Sequence, residues 1–384
     1  MNRPLRSSAL ALAACVLLGA CTGSDAPGPV RSSAEQTTEA STAGPTAIPS
    51  PVESAGELAL VDSDASWTVS TRVPTPFLEV LAVGDDALVS VTQDEGGTET
   101  IVLDSMGVRQ EVTFGVGQIT QDASVLDDGT VLYSIGDDNT GEYWVYRWDP
   151  ATDSIVTAYE SAGAGATWSE TVVAGEYLYV TQGDGASDAC LGRLDLADAS
   201  SEMERVGCAP EGEYLGDLRA ASDGTVVYRT YESDECGTVH RLIGDETEEL
   251  DIDGCVFRAV ASRDVVVWSG AAPDTGLGTN YFDAPLFALL DGQQIDLGMA
   301  AAGSAVVCDD AVYWLTYTDD PQGVTQIRRW VPGSPVEVFY RSPDEGPAHQ
   351  YATSGPMCGP GIVGIQRRGW DSAMPQEFLT TPVP

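Results

Sequence analysis

An all-β ring of seven four-stranded blades, closed by strands from both chain ends and standing behind a disordered tether, is the fold the sequence predicts. Three observations predict it. First, one pattern recurs along the chain: Ala221 to Glu232, ASDGTVVYRTYE, joins an Asp-Gly turn to an alternating apolar strand and a polar loop, and six echoes begin at Ala82, Val125, Val172, Val260, Val307 and Met357. With Asp85, Asp128, Gly175, Asp223, Arg263, Asp310 and Pro360 as equivalent positions, the steps are 43, 47, 48, 40, 47 and 50 residues. A period of about 40–50 residues with strand chemistry in every unit is that of a β-propeller. Second, each unit divides into short apolar stretches separated by turn residues, and helical periodicity is missing throughout. Third, the last unit is one strand short, while a strand without a hairpin partner stands ahead of the first.

Taken in order, residues 1–20 form a secretory signal: two Arg precede an apolar run over 9–18, too short for a spanning helix of about 20 residues. Cys15 inside that run is read as a small apolar residue. The segment ends Leu18-Gly19-Ala20-Cys21, which resembles the lipobox of bacterial lipoproteins. The resemblance implies that Cys21 becomes the first residue of the mature chain, carries the lipid and holds the protein to the extracytoplasmic side of the cell membrane. Residues 21–57 follow as a linker. Between Thr22 and Gly56 there is no aromatic residue, and Ser and Thr fill 11 of 35 positions, so nothing can bury enough surface to offset ordering.

The propeller domain is expected over 58–384, with its first clear strand at 66–73. Blade 2 shows all four strands, at 119–126, 131–134, 143–148 and 155–159. The last unit offers strands at 352–357, 361–366 and 377–384, and then the chain stops. If 66–73 supplies the missing outer strand, both termini close the ring and its open edges vanish. Seven blades follow, with six or eight as the alternative if one unit is miscounted. The arrangement resembles seven-bladed propellers in general, and a lipobox ahead of such a ring resembles surface lipoproteins of actinobacteria.

Six cysteines lie beyond Cys21, and spacing selects among their 15 possible connectivities. Cys190 with Cys208 and Cys236 with Cys255, 18 and 19 residues apart, are each placed at the opening of a third strand and the close of a fourth. Cys308 and Cys358 hold the same repeat position in blades 6 and 7, at the end of the innermost strand, where a bridge would lock the ring beside its seam. The first two loops are each worth about 3 kcal/mol in the chain-entropy model.

Charge removes several functions. The chain carries 59 acids against 18 basic residues, all Arg, for a net −41. Such a field opposes nucleic acid and anionic bilayer surfaces, both of which need cations to displace counterions. Without Lys there is no Schiff-base chemistry, and two His, His240 and His349, cannot build a multi-histidine metal centre. The turn Asp137-Asp138-Asn139 has calcium-ligand chemistry but reads first as an ordinary Asx turn, so neither metal nor cofactor is expected. No G-x-S-x-G, P-loop or zincin motif occurs.

What remains is the loop face. The long inner loops 269–285, 318–325 and 367–376 fall in neighbouring blades, and loops with aromatics on a rigid scaffold are where binding resides. Tyr281 and Asp283 in the first, with Arg367, Arg368, Trp370 and Asp371 in the third, form the expected ligand-binding set, because Arg forks onto oxyanions and Trp stacks on rings. The same Arg residues have a structural alternative, pairing with acids of adjoining blades. The functional expectation is a binding or scaffold module for an envelope protein, peptide or glycan. The alternative is a cell-surface hydrolase or lyase acting on carbohydrate, which two buried, neighbouring carboxylates of perturbed pKa would favour.

Overall fold

The computed structural model describes residues 59–383 apart from 74–78, 95, 138, 162–169, 184–188, 198–201, 234–235, 253, 271–283, 319–323, 343–350 and 370–375. Cys21, the signal segment and the linker lie outside the described residues. Every described element is a strand. Blade 1 consists of Glu79–Gly84, Ala87–Gln93, Glu99–Ser105 and Val108–Thr113, and blade 2 of Gln118–Val125, Val131–Asp137, Glu142–Asp149 and Ser154–Glu160. Blade 3 comprises Thr171–Ala174, Tyr177–Gln182, Cys190–Asp195 and Glu204–Cys208; blade 4 comprises Tyr214–Ala220, Val226–Ser233, Cys236–Ile243 and Glu246–Glu249. Val256–Ala261, Val265–Gly270, Ala284–Leu290 and Gln293–Ala300 make blade 5, and Val306–Cys308, Ala311–Thr318, Val324–Trp330 and Val336–Arg341 make blade 6. Each is an antiparallel meander. The first strands touch one another in succession from blade 1 to blade 7 and back to blade 1, which makes seven blades in a closed ring.

Blade 7 is closed as expected. Its second and third strands are Ile362–Gly369 and Gln376–Pro382, and the N-terminal strand Thr68–Val73 pairs antiparallel with the latter, Thr68 opposite Thr380 and Val73 opposite Gln376. Its first strand, expected to be continuous over 352–357, is split into Tyr351–Thr353 and Met357–Gly359, both paired with Ile362–Gly369. At the seam the backbones are in contact: a Cβ on Gly359 would collide with the carbonyl oxygen of Val83 in blade 1, so only glycine fits there. Gln366 of blade 7 accepts the Val80 N–H of blade 1 at 3.3 Å.

One strand was not anticipated. Leu60–Asp62 runs parallel to the outer strand of blade 6, Leu60 opposite Val336, and adds a fifth strand there. Between it and the strand Thr68–Val73, Trp67 lies edge-on to Phe339 and Tyr340, with ring centroids at 5.5 and 5.3 Å, and its indole N–H donates to the Phe339 carbonyl at 3.0 Å. The N-terminal segment is thus stitched to blade 6 before it completes blade 7.

The core is as radial as the ring. Among the described residues seven apolar clusters lie between adjacent blades, from Ala82, Val89, Ile101, Leu103 with Val131, Tyr133, Ile135, Trp148 between blades 1 and 2, round to Val80, Val83 with Ile362, Phe378 at the seam; the one between blades 5 and 6 also takes in Ala221 of blade 4. The alternation expected of the repeat strand gives way here. Val131–Asp137 and Val265–Gly270 are buried almost throughout, because blades cover both faces of a central strand. The outermost strands keep polar exposure, and Glu246–Glu249 is exposed along its length. In the Asp-Gly turns, Asp128 and Asp223 accept the N–H of Thr130 and Thr225 at 2.9 Å, while Gly129 and Gly224 take the positive φ the turn requires.

All three disulfides form as paired by spacing: Cys190–Cys208, Cys236–Cys255 and Cys308–Cys358. One placement is corrected. Cys208 ends a fourth strand, but Cys255 lies beyond Glu246–Glu249, one residue before blade 5 begins, so the second bridge ties the third strand of blade 4 to the inter-blade link. An arginine at one repeat position adds a polar clasp. Arg147, Arg193 and Arg241, each two residues before the end of a third strand, donate to carbonyls of the next blade: Leu196 at 3.3 Å, Gly244 at 3.3 Å and Arg263 at 2.9 Å.

Candidate functional site: a charged cluster in the central channel

The first strands line the channel, and four of them carry a β-bulge, in blades 1, 2, 4 and 5. A bulge re-aims side chains at a strand that otherwise packs regularly. In blade 4 the irregularity spans Asp217 and Leu218, and Asp217 takes φ 54°, a conformation costly for most side chains and tolerated by Asp. These strands gather a set of charged groups from four blades: Asp122 (blade 2), Glu170 just ahead of blade 3, Asp217 and Arg219 with Arg229 (blade 4), and Arg258 (blade 5). At the opposite face the first turns crowd together. Asp309 in blade 6 donates its N–H to Ser222 Oγ in blade 4 at 2.9 Å, and Arg263 donates its N–H to Asp223 Oδ2 at 2.7 Å, so the channel narrows there.

Burial sets the electrostatics. Asp122 keeps partial solvent contact but is densely surrounded by protein, and this desolvation pushes its pKa up to about 6; Glu170 adds to the rise, while Arg219 and the Ala123 N–H oppose it. Desolvation also raises Glu170, helped by Asp217 and opposed by the N–H of Leu218, which donates to Glu170 Oε2 at 2.6 Å across the blade boundary. Arg229, only 5% exposed, is held by Asp217, with Nε to Oδ2 at 2.7 Å, and donates to the Val256 carbonyl at 2.7 Å. A buried guanidinium needs such full partnership. Above it, the Arg229 guanidinium lies 4.9 Å from the Tyr231 ring centre, and Tyr231 stacks at 5.8 Å on Tyr214, which is 44% exposed at the rim. Beside Asp122, a crevice between blades 2 and 3 is lined by Ser134 and Thr171, whose hydroxyl meets Tyr143 Oη at 3.0 Å.

Of the loop set expected from the sequence, only Arg367 has a described side chain. Tyr281, Asp283, Trp370 and Asp371 lie outside the described residues, as does the side chain of Arg368. Arg367 is described: it pairs with Glu377 on the neighbouring strand of its own blade, where both are largely buried. Arg329 likewise closes on Glu337 within blade 6 at 2.9 Å. Both pairs are formed within one blade, not with acids of the adjoining blades as the structural alternative had it. Asp137 accepts the N–H groups of Asn139 and Thr140 at 2.8 and 3.2 Å, the hydrogen bonding of an Asx turn. The channel cluster itself was missed, although a signal exists. Asp122, Glu170, Asp217, Arg219 and Arg258 all fall four to six residues before the equivalent turn position, as charges inside what should be the most apolar strand.

No protein-family model matches the chain, and no curated protein does. Among solved structures, the chain is similar to the β-propeller domain of the Trilobed protease from Pyrococcus furiosus, with a TM-score of 0.57 and 12% identity over 80% of this chain and 95% of that domain. A prolyl endopeptidase gives a TM-score of 0.55 and 11% identity over 81% of this chain and 50% of that one. Uncomplexed acylaminoacyl peptidase from Pyrococcus horikoshii gives 0.52 and 13% over 82% and 53%. The chain therefore spans about half the length of these peptidases. At such identities the likeness establishes the propeller fold, and function has to be argued from the site.

Proposed function

We propose that this protein is a binding module of the cell envelope, held at the extracytoplasmic side of the membrane by a lipid on Cys21 and engaging a protein, peptide or glycan at the channel mouth. The observation that carries this reading is the mixed-charge cluster of Asp122, Glu170, Asp217, Arg219 and Arg258 with the exposed ring of Tyr214 beside it. Convergent polar groups of both signs beside an aromatic face on a rigid ring are ligand-binding chemistry. The test is thermal stability of residues 57–384 against wall glycans, sugars, peptides and envelope extracts. A ligand at 100 times its dissociation constant adds about 2.7 kcal/mol, and the shift should vanish in Tyr214→Ala. A panel without any shift would sink the reading for the ligands tested. For the anchor, Cys21→Ala should release the protein from membranes into the soluble fraction.

A second reading has one observation in its favour. Asp122 and Glu170 are neighbouring carboxylates whose protons are held more tightly than usual, as an acid and base pair for glycoside cleavage would require. It predicts turnover of a wall polysaccharide that Asp122→Asn and Glu170→Gln each abolish while binding persists.

A further inference from the structure

The geometry points to the C-terminal carboxylate of a peptide as the ligand of this mouth, gripped by Arg219 and Arg258 with the adjoining peptide laid on Tyr214. The inference rests on the binding reading above and names the ligand class for that site.

It starts from how the arginines are used. Arg193, Arg229, Arg241, Arg329 and Arg367 each close on a carboxylate. Arg219 and Arg258 do not close in this way. Among the described residues Arg219 makes no hydrogen bond or ion pair, although it stands near enough to Asp122 and Glu170 to act on both. Arg258 is 42% exposed at its side chain; its guanidinium lies 5.9 Å from the Phe257 ring centre and makes a long 3.5 Å contact with Asp217 Oδ1, while the other oxygen of Asp217 is taken by Arg229. Arg219 and Arg258 stand on the contacting first strands of blades 4 and 5, four and five residues before the equivalent turn positions Asp223 and Arg263, which sets them at nearly one level of the channel. Gly303 in the link to blade 6 leaves room for the Arg258 stem, since a Cβ there would strike its Cδ.

Two forked cations with open donor positions around one space are complementary to a planar oxyanion, and a carboxylate fits the fork in bidentate fashion. The choice between anions follows from the whole molecule. A net charge of −41 repels a polyanion along its length, whereas a ligand with one terminal carboxylate and a neutral or cationic body is repelled least. A peptide ending is such a ligand, and Tyr214, backed rigidly by Tyr231 and Arg229, offers a flat face to the residue preceding it.

The experiment measures binding of residues 57–384 to a pool of N-acetylated pentapeptides, each made as the free acid and as the C-terminal amide, with a polyuronate as a third probe. The free acids should bind at least tenfold tighter than their amides. Arg219→Gln and Arg258→Gln should each bring the acids down to the level of the amides without altering the amides, and cooperative melting of both variants verifies that they fold. Equal affinity for acid and amide, full affinity in both variants, or a polyuronate that binds tighter than any peptide overturns the proposal. If neither peptide form binds while a glycan or envelope protein still shifts the melting temperature, this inference falls and the binding reading stands. If nothing shifts it, both fall.

Discussion

At the scale of single residues, Asp122 gives the sharpest expectation. Its pKa is raised to about 6 in the folded protein, so folding binds a proton that the unfolded chain releases near pH 4. The stability this proton confers is fully present below about pH 4 and is lost as pH rises through about 6. A two-unit shift corresponds to about 2.7 kcal/mol, and partial solvent contact reduces the effect to about 1–2 kcal/mol. Asp122→Asn should therefore be more stable than the parent at pH 7 by about 1–2 kcal/mol and nearly equal to it at pH 4, as read from urea melts at the two values. Equal stability at pH 7 would mean that Asp122 is solvated like a surface carboxylate.

At the scale of elements, the ring is held by two kinds of closure whose contributions separate. The bridge Cys308–Cys358 joins the innermost strands of blades 6 and 7 across 50 residues, and the chain-entropy relation assigns it about 4 kcal/mol. Cys308→Ser with Cys358→Ser should lower stability by about that amount while leaving a folded propeller, measurable by denaturant unfolding under non-reducing conditions. The N-terminal strands act differently. Removing residues up to 78 deletes the outer strand of blade 7 and the fifth strand of blade 6, and exposes two long strand edges. Such a truncation should aggregate, whereas Trp67→Ala should remain soluble and lose about 2–3 kcal/mol through its contacts with Phe339 and Tyr340. A soluble, cooperatively melting truncation would show that the ring closes without its latch. The division of each unit into strands and the pair Cys190–Cys208 were legible in the sequence because both are local. The place of Cys255 was less so, since the fourth strand of blade 4 ends early at Glu249 and the link to the next blade is long.

For the whole molecule the dominant fact is charge. Fifty-four of the 59 acids fall in residues 58–384 and repel one another there, and screening relieves that repulsion more in the folded state, where the charges stand closer together. The melting temperature of residues 57–384 should climb by several degrees between about 0.05 and 0.5 M NaCl, a range over which the Debye length falls from roughly 14 to 4 Å. A constant melting temperature would mean that the acids are spaced widely enough to be screened already. The cluster in the channel is the counterpoint, with three arginines set among three acids in the middle of an acidic shell.

The sequence by itself determined the blade count, the closure of the ring by both termini and the three cysteine pairs. All three follow from a period, an unpartnered strand and a set of spacings, which are properties of the chain read along its length. The tertiary structure decided the site. Asp122, Glu170, Asp217 and Arg258 are 136 residues apart from first to last, and only closure of the ring brings them to one channel. Their chemistry comes from desolvation by neighbouring blades, which no single strand encodes. The same reason explains why loop aromatics drew attention first: a charge on an inner strand looks like a flaw in a pattern until the ring gives it partners.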